Sequence, residues 1–532
     1  MTHFQNLSIG RLLTSPLANA PDQEIIHSDV MRYDYRGLRD RVGRLGSALS
    51  RLGIGQGKVV AVMDWDSHRY FECFFGVPML GAVLHTVNVR LSPEQVLYTI
   101  NHAEDDVILC HADFVPLLAQ IAPCIRRPVR IVLLRDREAP RPPELDFAGD
   151  YESLLAQADP GFAFPDLDED SAATLFYTTG TTGDPKGVRF SHRQIVLHTL
   201  GAIATLAPVP GNRGLHRADV YMPITPLFHV HAWGIPYVAT LLGLKQVYPG
   251  RYEPARLLAL IAEHGVTISH CVPTILNMLL SAPESAGTDL SRWKVIIGGS
   301  TLTPGLARAA LARGIDVLSG YGMSETCPIL TLSDPTVAET VEARVAAGKA
   351  AVLVEMEIVD EAMKPLPHDG VAAGEVVVRA PWLTGGYHRD PEKSAELWRG
   401  GWLHTGDIGT IDATGTLRIG DRLRDTIKSG GEWISSLDLE RIVSGVEGVA
   451  EVAAIGLPDE KWGERPCLVL ALQPGARPEA CAGAAHAAIE AVIKAGKLPH
   501  WAAPQRVEVV ESLPKTSVGK LDKKRMRATF AV

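Results

Sequence analysis

The run Thr178-Thr179-Gly180-Thr181-Thr182-Gly183-Asp184-Pro185-Lys186-Gly187 constrains this chain more than any other stretch. Nothing in Thr178–Gly183 packs a core. Four threonine hydroxyls, two glycines and Lys186 lie within reach of one another. Glycine lets successive backbone N–H groups turn toward one point and form an anion nest. The hydroxyls add donors and the lysine adds a full positive charge. The matching ligand is a polyphosphate. The spacing is not that of a Walker A loop, which separates its glycines by four residues and follows the second with Lys and Ser or Thr. Here two residues separate Gly180 from Gly183, and Lys186 precedes Gly187. A flexible linker is the plainer alternative, but linkers are rich in Ser and Pro. This run lies between the apolar segments Ala172–Phe176 and Val188–Phe190.

A chain of 532 residues is too long for one ordinary core, so two or more domains are expected. Hydrophobic residues at 46% and charged residues at 21% describe a soluble globular protein. The net charge of −9 argues against nucleic acid or an anionic membrane as partner, since both attract basic surfaces. Cysteines 73, 110, 124, 271, 327, 467 and 481 form no CxxC pair and read as free thiols. Met1–Leu13 lacks a long apolar core and a cleavage site, so no secretory signal is expected. No apolar run is long enough to span a bilayer. A cytoplasmic enzyme is the expectation.

Residues 31–135 alternate helical and strand patterns. Leu38, Val42, Leu45, Ala48 and Leu49 recur at helical spacing, and Val59–Met63 reads as a buried strand. Helices near 69–80, 93–101 and 114–121 alternate with strands at 82–85, 107–109 and 129–134, which implies a mostly parallel sheet with covered faces. Residues 136–166, rich in Pro, Asp and Glu, are expected to run over the surface. A helix follows over Ser191–Leu206. A smaller β-rich part occupies 355–420, and a small α+β unit closes the chain, with strands near 449–456, 467–472 and 506–510 and a helix over 478–495. The fold class is therefore α/β, with a β-rich part and a small α+β C-terminal domain.

Several shorter runs carry chemistry. Val295–Ile297 is a strand ending in Gly298-Gly299-Ser300, and strand C-termini in open sheets are where ligands bind. Asp316–Leu318 leads into Ser319-Gly320-Tyr321-Gly322-Met323-Ser324-Glu325. Tyr321, between two glycines, can stack on an adenine, or simply be a turn residue. Glu325 can hold Mg²⁺ beside phosphates, or merely favour a helix N-terminus. Tyr221–Gly234 holds two prolines, His229, His231 and Trp233 in an apolar setting, where a histidine is more often a core residue than a catalyst. Metal binding by His229 and His231 is the weaker reading, since no carboxylate or cysteine sits at ligand spacing. Ser429-Gly430-Gly431 permits the close backbone approach that a narrow channel needs.

Thr178–Lys186 resembles at every place the phosphate signature of the adenylate-forming enzymes: acyl-CoA synthetases, luciferases and peptide-synthetase adenylation domains. Tyr321-Gly322-Met323-Ser324-Glu325 is similar to that family's aromatic-Gly-x-Ser/Thr-Glu motif, and Thr405-Gly406-Asp407 to its Thr-Gly-Asp. Asp421–Asp425 looks like its interdomain linker, and Pro514-Lys515-Thr516-Ser517-Val518-Gly519-Lys520 like its last motif. The strings Pro226–Tyr237 and Ile427–Ser436 look closest to bacterial medium- and long-chain fatty acyl-CoA synthetases.

The resemblance covers nearly the whole chain. It implies an N-terminal ATP- and acyl-binding domain over 1–422 and a mobile C-terminal lid over 423–532, pivoting at Arg424. Many members carry Asp or Lys at that pivot. A second departure is Gly348–Val352, where many show Gly-x-Pro-x-Pro-Gly. Implied substrates are ATP with Mg²⁺, a carboxylic acid and CoA; a homodimer is also implied. His229 would touch the acid's carboxylate, and Val230, Trp233 and Gly298 would line the acyl pocket. Asp407 and Arg422 would hold the ribose. Lys428 and Trp433 would close over the adenylate. Thr178 and Glu325 would bind the metal, and Lys520 would be the essential lysine. The acid read first is a fatty acid. An alicyclic, aryl-alkyl or methylthio acid, or a carrier-protein acceptor, keeps the same chemistry. A non-catalytic ATP-binding regulator would be expected to have lost Lys520 or Glu325, and both are present.

Overall fold

The computed structural model describes residues 5–137, 143–178, 184–209, 213–333, 340–423, 425–429, 432–516 and 521–531, with the backbone alone for Glu432 and Trp433. It is a mixed α/β protein, with a large N-terminal part and a small C-terminal part.

The first sheet has seven strands in the order Gly149–Asp150, Arg130–Leu134, Val107–His111, Val59–Met63, Val83–Thr86, Ala172–Thr178, Lys186–Ser191. All neighbours are parallel except the last pair. The crossovers are the helices His68–Met79, Pro93–Ala103 and Val115–Ile121. Helix Tyr35–Arg51 starts where Asp34 accepts the Gly37 N–H at 2.8 Å, and it buries Leu38, Val42, Leu45 and Leu49 along one stripe.

The second sheet has nine strands, with a parallel centre built from Asp316–Gly322, Lys294–Ile297, Ile268–Cys271, Val220–Tyr221, Lys245–Tyr248 and Glu24–His27. One core joins the two sheets. Helix His68–Met79 lies in it, with Phe71 stacked on Tyr248 at 4.9 Å and Phe74 on Tyr237 at 5.4 Å. The C-terminal edges of both sheets meet at Asp66, whose main-chain oxygen accepts the Gly250 N–H at 3.0 Å.

Glu355–Val359, Gly374–Arg379, Leu403–Ile411 and Leu417–Arg422 form a third, antiparallel sheet, whose Val376, Val378, Leu403 and Leu417 join the same core. Residues 423–426 then lead to a separate five-stranded sheet that includes Val449–Asp459, Gly463–Leu472 and Arg506–Val510. Its strands alternate between two faces. Val452, Ala454, Leu468 and Leu470 pack on helices Ser436–Val443 and Pro478–Lys494. Ala453, Ile455 and Val469 pack on Met526 of helix Lys523–Phe530.

One expectation is corrected. Residues 136–166 do not simply run over the surface: Gly149–Asp150 extends the first sheet, Tyr151–Ala156 is helical, and Phe147, Tyr151, Leu155 and Ala158 are buried. Some of its acids are paired, as when Asp150 takes Arg135 at 2.6 Å and Glu152 takes Arg41 at 2.7 Å, while Glu144, Asp146, Asp159 and Asp166 stay exposed. Among the described residues no helix is long and apolar enough to cross a membrane, and all seven cysteines are free.

Candidate active site

Strand register brings the two ends of the Gly/Thr run together. Thr178 and Lys186 are direct partners across the antiparallel pair that ends the first sheet. Thr179, Gly180, Thr181, Thr182 and Gly183 lie between them in sequence and outside the described residues. The Lys186 ammonium sits 4.6 Å from the centre of the Tyr387 ring, within range for a cation–π contact. The Tyr387 hydroxyl donates to Glu325 Oε1 at 2.7 Å. Tyr387 thus stands between the lysine and the carboxylate. Burial, then the Glu325 charge, pushes its pKa far above the usual phenol range, so it stays a donor. Segment 384–390 is fixed by the His388 N–H to the Gly187 oxygen (2.8 Å) and the Thr384 N–H to the Glu325 oxygen (3.0 Å). Tyr387 was not singled out in the sequence; its signal is the aromatic after Gly385-Gly386.

Glu325 is buried in the short turn Ser324–Thr326 that follows strand Asp316–Gly322. Ser319, Gly320, Tyr321 and Gly322 lie in that strand, and half-buried Met323 and Ser324 follow it. A Cβ on Gly322 would come within 1.7 Å of the Pro328 oxygen, so only glycine fits there. Tyr321 donates its hydroxyl to Asp407 Oδ2 at 2.7 Å. Asp407 pairs in register with Arg422 on the next strand, with Arg422 Nε 3.6 Å from Asp407 Oδ1. The structure therefore brings Tyr321, Asp407 and Arg422 together. Gly299 and exposed Ser300 follow strand Lys294–Ile297, which is the neighbour of Asp316–Gly322.

The stretch around His229 is held from both sheets. Asp66 Oδ1 accepts the Leu227 N–H at 2.9 Å, and Tyr252 donates to the other oxygen of Asp66. Burial raises the Asp66 pKa to about 7. Thr86 Oγ1 donates to the Phe228 oxygen at 3.0 Å. Half-buried His229 caps a left-handed turn: Val230, His231, Ala232 and Trp233 have φ of 48°, 54°, 47° and 59°, and Gly234 has 71°. Each non-glycine residue in that region costs about 1–2 kcal/mol. All four are buried and held by their packing; strain of this kind gathers at functional sites. The turn lays Trp233 over Gly298, where a Cβ would meet its Cη2 at 2.9 Å.

On its other side Trp233 meets His270, with ring centroids 5.0 Å apart. His270 is held by the Tyr221 hydroxyl at 2.8 Å and by Thr225 Oγ1 at 3.1 Å. Burial lowers its pKa to about 3, so it is neutral. His231 points away into a cage of Phe74, Phe176, Phe190 and Tyr237 rings; burial lowers its pKa to about 3, and among the described residues neither ring nitrogen has a hydrogen-bond partner. It is a core residue. Among the described residues no three His, Cys, Asp or Glu side chains gather as a metal site.

In the C-terminal part, the Lys428 N–H donates to Glu464 at 2.9 Å while its side chain is exposed, and Ser429 is buried. Arg424, Gly430, Gly431 and Lys520, with the Trp433 side chain, lie outside the described residues. The described groups supply a cation and a carboxylate on either side of the Tyr387 ring, a Tyr321–Asp407–Arg422 trio, and an apolar turn that follows His229 and lays Trp233 over Gly298.

The chain matches the family model described as AMP-binding enzyme over residues 14–388, and the AMP-binding enzyme C-terminal domain over 438–520. It is 38% identical to a 3-methylmercaptopropionyl-CoA ligase of Ruegeria pomeroyi, covering 93% of this chain and 92% of that one. It is also 38% identical to a long-chain-fatty-acid–CoA ligase of Thermus thermophilus, covering 94% and 91%. Among solved structures, ATP-bound MatB from Rhodopseudomonas palustris is similar with a TM-score of 0.85 and 26% identity, over 99% of each chain.

Proposed function

As a member of the AMP-binding enzyme family the chain is an AMP-forming acid–thiol ligase, and we propose that its acid is a medium- to long-chain fatty acid. The observation that carries this is the apolar setting of Trp233, which packs with Ile235, Val238, Ile296, Leu318 and Leu332. A straight alkyl chain matches such a wall.

A carboxylate oxygen attacks the α-phosphorus of ATP, the bond to the β-phosphate oxygen breaks, and pyrophosphate leaves. The CoA thiolate then attacks the acyl carbon, and AMP leaves with its electron pair. Both partners of the first step are anionic, so catalysis is positioning and positive charge. Lys186 with the hydroxyls and N–H groups of Thr178–Gly183 cradles the phosphates. Gly299, Ser300 and Ser319–Ser324 receive the nucleotide and the new anhydride. Asp407 and Arg422 take the ribose hydroxyls, with Tyr321 fixing the Asp407 carboxylate. His229 holds the acid's carboxylate over Gly298, with Val230 and Trp233 beside it. Lys520 bridges the carboxylate and the α-phosphate. Residues 423–532 act as the lid turning at Arg424. Lys428 and Trp433 close on the adenylate, and Ser429-Gly430-Gly431 lines the thiol's path.

Glu325 fits Mg²⁺: its carboxylate is buried, Tyr387 takes one oxygen, and Mg²⁺ prefers one or two carboxylates plus phosphate oxygens. Bound there with Thr178, the ion would neutralise phosphate charge. Tyr387→Phe keeps the ring under Lys186 and removes the bond to Glu325. The Mg²⁺ concentration for half-maximal AMP release is expected to rise about tenfold; an unchanged requirement would separate Tyr387 from the metal.

One observation favours a second acid. Trp233 covers Gly298 and leans on the polar His270–Tyr221 pair, which suits a short thioether acid such as the one named for the Ruegeria relative. AMP release with CoA across acids from propionate to palmitate, with methylthiopropionate and cyclohexane carboxylate, decides between them. Trp233→Ala is expected to change the kcat/KM ratio of dodecanoate to butyrate by at least about tenfold. An unaltered profile removes Trp233 from the pocket.

A further inference from the structure

The junction at residues 421–425 is stitched by buried charges. Asp421, at the end of strand Leu417–Arg422, is 3% exposed. Its Oδ2 accepts the Ser436 N–H at 2.6 Å, and its Oδ1 accepts the Arg422 N–H at 2.7 Å. Ser436 opens helix Ser436–Val443, and a carboxylate is favoured at a helix N-terminus. The capping Ser435 donates its hydroxyl to the Gly420 oxygen at 2.5 Å. Lys523 is buried behind this contact. Its ammonium reaches Ser436 Oγ at 2.5 Å and Glu440 Oε1 at 2.7 Å. Glu440 also accepts the Ala454 N–H at 2.8 Å. Burial raises the pKa of Asp421, and the Lys523 charge opposes that rise.

One turn further along the same helix, Arg527 pairs with Asp425 at 2.9 Å. Lys523 and Arg527 lie on one helix face. They engage Ser436, Glu440 and Asp425, all after position 424, and Ser436 carries the contact back across it to Asp421. The segment before this helix is closed at its base: the Asp522 N–H donates to the Pro514 oxygen at 2.8 Å, Lys515 bridges Leu521, and Lys515 pairs with Glu451 at 2.8 Å. Lys520 lies in sequence between these anchors and two residues before Asp522.

We propose that Asp421, Ser436 and Lys523 form a latch that favours one orientation of the C-terminal part, and that Lys523 is thereby a positioning residue for Lys520. This rests on the reading of residues 423–532 as a lid that turns at Arg424. Asp421 lies on the N-terminal side of that pivot; Ser436, Glu440 and Lys523 lie on the other. A turn at Arg424 carries the helix N–H and the ammonium away from Asp421. A buried carboxylate stripped of its partners is costly, so the latch resists the turn and sets how the two half-reactions share the enzyme. No ligand contact is required of any of the three residues.

Asp421→Asn and Lys523→Gln test the latch in the full chain, with Lys523→Arg as the charge-preserving control. Trypsin is applied without substrates, and cleavage after Arg422 and Arg424 is followed. At matched melting temperature, cleavage is expected to speed up at least fivefold in Asp421→Asn and Lys523→Gln and to stay near wild type in Lys523→Arg. The two half-reactions are then read separately, as decanoate-dependent pyrophosphate–ATP exchange and as decanoyl-AMP consumption by CoA. Their rate ratio is expected to shift at least tenfold in the first two variants. Unchanged cleavage with equal changes in both half-reactions overturns the latch. If Asp421→Asn does not fold, the Lys523→Gln and Lys523→Arg pair decides alone. Absence of exchange in the wild-type protein would overturn the proposed acid instead, and would leave the cleavage result to judge the latch.

Discussion

Lys520→Ala is expected to lose pyrophosphate–ATP exchange by about 10³-fold or more, while decanoyl-AMP and CoA still react within about threefold of wild type. The argument is electrostatic. In the first half-reaction a carboxylate must approach a triphosphate, and charge builds on the oxygens around the α-phosphorus. A cation aimed there is worth far more in a water-poor site than in bulk water. In the second half-reaction negative charge develops on the acyl oxygen and on the departing AMP phosphate, but no second anion has to be brought against a triphosphate, and on the proposed lid reading Lys520 has turned away by then, so its loss costs little. The residue is borne on the C-terminal part, whose sheet and cores are separate from those of the first 422 residues. Assays of the two half-reactions on one preparation check this. Equal loss in both would mean that Lys520 serves a single fixed site and that the lid reading is wrong.

How much of this was legible in the sequence depended on how local the cause was. Strands Val59–Met63, Glu355–Val359 and Arg506–Val510 lie where short apolar or alternating runs place them. Glu24–His27 and Ile268–Cys271 do not announce themselves: each is four residues, and each is a strand because the second sheet gives it neighbours. The buried segment 147–158 was hidden by its acidic composition, since Glu152 is neutralised by Arg41, 111 residues away. In the candidate site, the Gly/Thr run stands out by its own composition, while Tyr321, Glu325 and Asp407 stand out through the family motifs they resemble. Tyr387 and Asp66 do not, because they act on residues 62 and 161 positions away. The left-handed turn at Val230–Trp233 carries no glycine until Gly234, so nothing local foretold it. A basic C-terminus normally reads as solvated; Lys523 is buried because Ser436 and Glu440 receive it.

Glu325→Gln carries the second large expectation: adenylation at low millimolar Mg²⁺ falls at least about 100-fold, and raising Mg²⁺ recovers part of it. The substitution keeps the side chain's size and leaves an amide oxygen to accept the Tyr387 hydroxyl, so the fold around the turn Ser324–Thr326 should hold. What it removes is one negative charge in a buried place where Lys186 already lies close by across the Tyr387 ring. A dication brought beside that lysine is repelled unless a carboxylate offsets it, so the charge, not the shape, is what the ion needs. Decanoyl-AMP consumption by CoA requires no triphosphate and should be nearly indifferent to the change. Titrating Mg²⁺ against pyrophosphate–ATP exchange in wild type and variant separates the two causes of loss. A raised half-maximal concentration with a recoverable plateau assigns Glu325 to the metal. A lowered plateau at an unchanged half-maximal concentration would make Glu325 a partner of Tyr387 and Lys186 alone.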